Sequence, residues 1–164
     1  MSILQQLGKA WVFFDGGTGS LLQQAGLRPG EALESWNLTH PEEILRLHRE
    51  YLLAGSDVIL TNTFGLNALR FPGQVEAICR QAVSLAQEAR RVSGRPEAAI
   101  ALDLGPTGRL LKPLGDLDFE SAVCLYREVV SAGAEAGADA VVIETMGDAL
   151  EMKAAVLAAK EACT

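Results

Sequence analysis

One short stretch near the start of the chain combines residue types that could bind a small charged molecule. It reads WVFFDGGTGS, residues 11–20, in which an apolar run is followed by Asp15 and then by Gly16, Gly17 and Gly19. An apolar run bounded by glycines predicts a buried strand with Asp15 at its carboxyl end. Glycine amides leading into a helix can bind a carboxylate or a phosphate, and an acid beside them can bind a cation. The stretch could therefore hold both ends of a zwitterionic amino acid, and a tight turn with a capping Asp is the alternative interpretation.

Three further predicted strands also end in polar side chains. We predict strands at 57–60, 98–102 and 139–143, and the residues that follow them include Asn62, Asp103 and Glu144. In a barrel of parallel strands the chemistry is built from these carboxyl ends. For Asn62 the alternative is that it caps the next turn, as Asn commonly does.

Helical patterns separate the predicted strands. Helices are predicted at 20–25, from a capping box of Thr39 and Glu42 onward, at 74–92, from about Asp118 to the Ala-Gly-Ala at 136–138, and at 148–163. This alternation requires a parallel α/β sheet. We expect one domain, 1–164, that forms the first four β/α units of a (β/α)8 TIM barrel, a half barrel, and a small doubly wound sheet is the structural alternative.

Two other features of the sequence are predicted to be structural. His48 belongs to the apolar stripe of its helix, so we interpret it as a packed histidine rather than a catalyst. Trp36 and Asn37 lie in an irregular segment, for which an exposed connecting loop is the commoner explanation and folding over a strand end is the other.

Composition and motifs exclude several classes of function. The 164 residues carry a net charge of −7 without a stripe of Lys and Arg, which argues against nucleic acid as a partner. No apolar run approaches the length of a membrane span, and the first residues lack the basic and apolar pattern of a leader, so secretion is not expected. The glycine-rich stretch has neither the spacing of the dinucleotide fingerprint nor the lysine of a P-loop. Small polar molecules remain the natural ligands.

The three cysteines do not predict a disulfide or a metal site. Cys79, Cys124 and Cys163 are odd in number, widely spaced and placed in helical patterns. A reducing, cytoplasmic location is therefore expected. Burial as small apolar residues is the default for helix cysteines of this kind, and zinc binding would need converging spacings that are absent.

Four motifs in order carry a family resemblance over nearly the whole chain. They are FFDGGTGSLLQ, PGEALESWNLTHPEEILRLHREYLLAGSDVILTNTFGLN, LDLGPTGRLLKPLGDL and GADAVVIETMGD. Together they resemble the N-terminal part of homocysteine S-methyltransferase domains, most closely the homocysteine-binding barrel of the cobalamin-dependent methionine synthase type. In that family homocysteine lies at the strand ends, and a zinc ion activates its sulfur.

The resemblance also implies roles for individual residues. Asp15 and Glu144 match acids near the amino group of the substrate, and Gly16 and Gly17 match backbone positions near its carboxylate. The remaining matches, which line the same pocket, are Asn62, Gly105 and Thr107. Binding to zinc would convert the homocysteine thiol to a thiolate, which attacks an activated methyl group to give methionine.

The chain departs from the family pattern at the metal. The family's zinc cysteines come from the second half of the barrel, and none of Cys79, Cys124 or Cys163 matches them. The resemblance therefore implies a chain that holds part of the substrate pocket, lacks its own zinc ligands and is inactive alone. Its expected partners are homocysteine and either the remaining half of the barrel or a second copy of this chain, which would cover the exposed strand edges.

Several functions stay open at this point. Methylcobalamin on another domain is the expected methyl donor, while betaine or S-methylmethionine would fit the same half of the barrel. A non-catalytic module that binds an amino acid or assists assembly is an alternative from a different class. A phosphate-binding barrel fragment that uses Gly16, Gly17 and Gly19 is another.

Overall fold

The computed structural model describes residues 11–162, in which helices alternate with parallel strands. The strands are β1 (Val58–Leu60), β2 (Ala99–Leu104) and β3 (Ala140–Ile143), and they form one sheet in the order β1-β2-β3. The helices, in chain order, are α1 (Thr18–Gln24), a 3-10 turn (Leu33–Ser35), α2 (Trp36–Thr39), α3 (Pro41–Ala54), α4 (Val75–Val92), α5 (Phe119–Glu135) and α6 (Ala149–Ala162). The prediction of a parallel α/β sheet is confirmed.

The first predicted strand is reduced to a single bridge. Phe14 pairs with Val58 in parallel, and the Asp15 amide donates to the Val58 carbonyl at 3.1 Å. The prediction that residues 11–14 are buried is wrong, because Trp11 is 77% exposed and Phe13 is 61% exposed. The segment lies at the edge of the sheet and pairs only with β1 in the described part of the chain, so its apolar side chains lack a covering layer there.

The two faces of the sheet have different chemistry. One face packs against the helices through fully buried side chains such as Ile59, Ile100 and Leu102. The opposite face carries the smaller residues Ala99 and Ala101, and by strand alternation it continues into Asp103 and Glu144. The acids therefore extend the face that points away from the helices.

The helix starts differ from the sequence prediction at one place. Helix α3 begins at Pro41 with His40 as N-cap and without a side-chain cap, so the predicted capping box of Thr39 and Glu42 is wrong. Proline favours the first helical position because its φ is already suitable and its missing N–H needs no partner there. The Thr39 hydroxyl instead donates to the Ser35 carbonyl at 3.2 Å, which closes helix α2.

Burial decides between the alternative interpretations of the 36–37 segment and of His48. Trp36 and Asn37 form helix α2 and are buried, so the exposed-loop interpretation is wrong and the segment folds over a strand end. His48 is 0% exposed, which confirms its packed position.

The cysteines divide between core and surface. Cys79 is buried on α4, and burial raises the pKa of its thiol to about 12. Cys124 is exposed, contrary to the default expectation, and Cys163 lies outside the described residues. Within residues 11–162, no cluster of three or more His, Cys, Asp or Glu side chains could hold a metal ion, and no helix is long and apolar enough to cross a membrane.

Candidate functional site

A cavity of about 430 Å³ lies at the carboxyl ends of the strands. It is lined by the residues that follow the Phe14 bridge, by residues at or just after the ends of β1, β2 and β3, and by the 3-10 turn before α2. Its lining residues are Asp15, Gly16, Gly17, Thr18, Gly19, Leu33, Leu60, Thr61, Asn62, Phe64, Asp103 and Glu144. The structure therefore brings five of the seven predicted site residues to one cavity: Asp15, Gly16, Gly17, Asn62 and Glu144.

Asp15 is held at the cavity by one of its two carboxyl oxygens. The Leu60 amide donates to Asp15 Oδ2 at 2.9 Å, whereas Oδ1 is buried and has no hydrogen-bond partner among residues 11–162. Burial, with a smaller contribution from the charge of Glu144, raises the pKa of Asp15 to about 7. The free oxygen is an acceptor without a donor.

Asp103, near the end of β2, also has a buried carboxyl oxygen without a partner among residues 11–162. Its backbone is fixed, because the Thr63 hydroxyl donates to the Asp103 carbonyl at 2.8 Å and the Asp103 amide donates to Thr61 Oγ1 at 3.2 Å. The residue is only 7% exposed, and its Oδ1 has no partner in the described chain. Burial, followed by the charges of Glu144, Asp15 and Glu34, raises its pKa to about 8.

Glu144 reaches the cavity at the end of β3. Its amide donates to the Leu104 carbonyl at 3.0 Å, which continues the β2–β3 pairing by one residue. The next residue, Thr145, has a φ of 56°, which is left-handed and is an outlier for a β-branched side chain. Such a conformation costs on the order of 1–3 kcal/mol and persists only where surrounding structure imposes it. The backbone strain lies directly beside a predicted binding residue.

Asn62 builds the wall of the cavity. Its side-chain amide donates to the Leu33 carbonyl at 2.8 Å and to Asn37 Oδ1 at 3.3 Å, while Asn37 donates back to the Asn62 carbonyl at 2.8 Å. These buried bonds hold the turn before α2 over the end of β1. The structure thus gives Asn62 a positioning contact, and its direct contact with a ligand stays a prediction.

The glycine turn packs against an aromatic ring from α3. A Cβ built on Gly16 would lie 3.0 Å from Tyr51 Oη, and the Tyr51 hydroxyl donates to the Gly17 carbonyl at 3.4 Å. The close approach of the ring favours a residue without a side chain at Gly16.

Gly105 and Thr107 lie behind the cavity rather than in its lining. A Cβ on Gly105 would lie 2.5 Å from the ring of Phe64, so glycine here allows Phe64 to take its place in the cavity wall. The Thr107 amide and hydroxyl donate to Glu151 Oε1 at 2.8 and 2.6 Å, and the Tyr126 hydroxyl lies 3.2 Å from the same oxygen. The contacts found are structural, and the substrate-binding role of both residues remains a prediction.

Some cavity residues were not assigned a binding role from the sequence. The sequence places Asp103 after its strand without indicating a ligand contact. Its position directly after an apolar run is nevertheless the same pattern that identifies Asp15. Leu33 and Phe64 come from connections without periodicity, so no sequence pattern identified them.

The cavity suits a cation better than an anion. Three carboxyl groups line it, and none of the lining residues within the described chain is Lys, Arg or His. A ligand ammonium group could donate to the free oxygens of Asp15 and Asp103, and the attraction would offset the mutual repulsion of the carboxylates. This charge pattern disfavours a phosphate group beside the acids.

Comparisons with known proteins agree on one family. A family model described as homocysteine S-methyltransferase matches residues 12–164. The chain is 29% identical over 175 residues to the methionine synthase of Mycobacterium tuberculosis, and that match covers 99% of this chain and 15% of the relative. The methionine synthase of Mycobacterium leprae is also 29% identical, with 99% and 14% covered.

Solved structures show the same fold. The homocysteine methyltransferase MmuM from Escherichia coli in its oxidised form superimposes with a TM-score of 0.82 at 23% identity, covering 98% of this chain and 62% of that chain. Its metallated form gives a TM-score of 0.79, also at 23% identity, and covers 94% and 61%. The chain thus spans about one seventh of the curated relatives and three fifths of the solved one.

Proposed function

The chain belongs to the homocysteine S-methyltransferase family, and from this premise we propose that it forms the homocysteine-binding part of a methyltransferase of the methionine synthase type. The proposed reaction transfers a methyl group to the homocysteine sulfur to give methionine. The single observation that carries the proposal is that Asp15 and Glu144 line one cavity together with Gly16 and Gly17. These are the residues that the family pattern associates with the two ends of the substrate.

In the proposed complex the chain's own residues bind and orient the amino acid. The ammonium group donates to Asp15 Oδ1 and to the carboxylate of Glu144, while the substrate carboxylate lies against the backbone at Gly16 and Gly17. The wall formed by Leu33 and Phe64 excludes water from the side chain of the ligand. Charge-assisted hydrogen bonds of this kind are about twice as strong as neutral ones.

The proposed architecture is that of the first four β/α units of a (β/α)8 barrel. Four parallel segments in chain order and a TM-score of 0.82 to a chain of which 62% is covered support it. The sheet has two open edges in the described chain: the first segment, where Trp11 and Phe13 are exposed, and β3, whose residues are half-buried. Further strands would pair with these two edges. The proposed partner is the remaining half of the barrel or a second copy of this chain.

Zinc does not fit the residues that the structure describes. The buried Cys79 has a thiol with a raised pKa, and Cys124 lies apart from it on the exposed side of α5. We therefore propose that the zinc ligands of the family belong to a segment outside residues 11–162. Similarity to methionine synthases favours methylcobalamin as the methyl donor over betaine or S-methylmethionine.

Homocysteine binding tests the proposed function. We expect isothermal titration calorimetry to detect binding of L-homocysteine and L-methionine, and no binding of ribose 5-phosphate. Asp15→Asn should weaken homocysteine binding by about tenfold or more, since a lost hydrogen bond to a charged group is worth about 1.5–3 kcal/mol. Glu50→Gln is the matched control, because Glu50 is an exposed carboxylate paired with Arg46 on α3. Equal affinity of the two variants would contradict the assignment of Asp15.

Methyl transfer tests the second part of the proposal. We expect the purified chain to form no methionine from homocysteine and methylcobalamin, with zinc added, because the described residues supply no metal cluster. Methionine formation is measured by mass spectrometry, with a complete methionine synthase as positive control. Turnover by this chain alone would refute its proposed dependence on a partner segment.

A further inference from the structure

Asp103 is a buried acid of the cavity that the family pattern leaves without a role. The residue is more than nine tenths buried and lines the cavity, and its Oδ1 has no hydrogen-bond partner among the described residues. An unsatisfied buried acceptor costs about 1–3 kcal/mol, more when it is charged. Asp15 lines the same cavity, and its Oδ1 is also buried and without a partner among the described residues. Two such acceptors at one cavity favour a ligand that brings hydrogen-bond donors to both of them.

The groups around Asp103 favour a proton on it when the cavity is empty. The charged groups that act on it are Glu144, Asp15 and Glu34, all of the same sign. Arg70, which lies 3.7 Å from Glu34, pairs with that residue and does not line the cavity. Like charges around a buried carboxyl group disfavour its ionised form, which raises the pKa of Asp103.

We propose that Asp103 is a third acceptor for the ammonium group of the ligand, and that entry of the ammonium group displaces the proton that Asp103 holds in the empty cavity. The inference rests on the proposed function in so far as the ligand is an amino acid. The O–H bond of the carboxyl group breaks and the proton passes to solvent, while an N–H of the ammonium group donates to the carboxylate that remains. No other bond is made or broken.

This arrangement selects primary ammonium groups. A primary ammonium group has three N–H donors, which match the free oxygens of Asp15 and Asp103 and the carboxylate of Glu144. A quaternary ammonium group has the same charge but no N–H, so it satisfies none of the buried acceptors. Ligands with a free amino group are therefore favoured over those with a fully methylated nitrogen.

The test follows the Asp103 carboxyl carbon by NMR during a pH titration of the full chain. The midpoint is expected near pH 8 in the ligand-free protein. Methylammonium chloride should lower it by about one pH unit or more, and tetramethylammonium chloride at the same ionic strength should not. A midpoint below about pH 5 without ligand, or equal effects of the two salts, would overturn the inference.

Assignment variants and a parallel homocysteine titration separate the possible outcomes. The resonance is assigned from its loss in Asp103→Asn, and Asp103→Glu serves the same purpose if the first variant does not fold. Homocysteine binding that leaves the Asp103 midpoint unchanged overturns the inference and leaves the proposed function intact. A methylammonium effect without any binding of homocysteine supports the inference and rejects the proposed function.

Discussion

Replacing Asp103 by asparagine is expected to stabilise the ligand-free protein at about pH 8, by on the order of 5 kcal/mol in the free energy of unfolding. In the folded protein its pKa is raised from 3.8 to about 8, chiefly by burial. The folded state therefore binds the proton more tightly than the unfolded state does. The contribution of this carboxyl group is fully present below its unfolded pKa and is lost as the pH rises through the folded value. Asparagine does not titrate, so the variant avoids that loss.

Urea denaturation at about pH 5 and about pH 8 measures the effect. The difference in stability between Asp103→Asn and the wild-type chain should grow with pH across this range. Glu50→Gln, which removes an exposed carboxylate, should show no such growth. A pH-independent difference for Asp103→Asn would mean that Asp103 titrates normally in the folded chain. A stabilising variant at this position would also show that the acid is kept at a cost to stability, as binding residues often are.

Replacing His48 by leucine is expected to stabilise the protein in acid, by about 3 kcal/mol at about pH 4. The His48 ring is fully buried, and neither of its nitrogens has a hydrogen-bond partner in the described chain. Burial lowers its pKa from 6.5 to about 4. Between these two values the unfolded chain takes up a proton and the folded chain does not, so stability falls as the pH decreases. Leucine fills a similar volume and removes this proton uptake.

Thermal or urea unfolding followed from about pH 7 to about pH 4 tests this prediction. The stability of the wild-type chain should fall more steeply with acid than that of His48→Leu. The advantage of His48→Leu, which also removes two buried nitrogens without partners in the described chain, should be smallest near neutral pH. His40→Leu is the control, because His40 is only partly buried and stacks on Trp36 with ring centroids 4.2 Å apart. Parallel curves for the wild-type chain and His48→Leu would contradict the prediction.

Local sequence patterns were sufficient to place the strands and their polar ends. Strands predicted at 57–60, 98–102 and 139–143 are observed at Val58–Leu60, Ala99–Leu104 and Ala140–Ile143. Apolar runs that end in glycines or polar side chains carry this information because it is local to each strand. The parallel order then follows from the alternation with helices, and it is why Asp15 and Glu144 could be expected at one cavity although they are far apart in sequence.

The structural features that the sequence does not predict depend on contacts between distant segments. Asn37 is buried because it bonds to the Asn62 backbone 25 residues away, and nothing near Asn37 signals this. Trp11 and Phe13 have the composition of a buried strand, yet both side chains are exposed because no element within the described part of the chain covers them. Thr107 donates to Glu151 on the last described helix, 44 residues away, and it is not among the cavity-lining residues.

The carboxylate of Glu151 joins three elements at one oxygen. Thr107 follows β2, Tyr126 belongs to α5 and Glu151 belongs to α6, and all of these groups are buried. Separating any one of them would leave buried donors unpaired, so the three elements are expected to open and close as one cooperative unit. Because Gly105 in the same turn lies close to the ring of Phe64, opening of this unit is expected to loosen that part of the cavity wall as well.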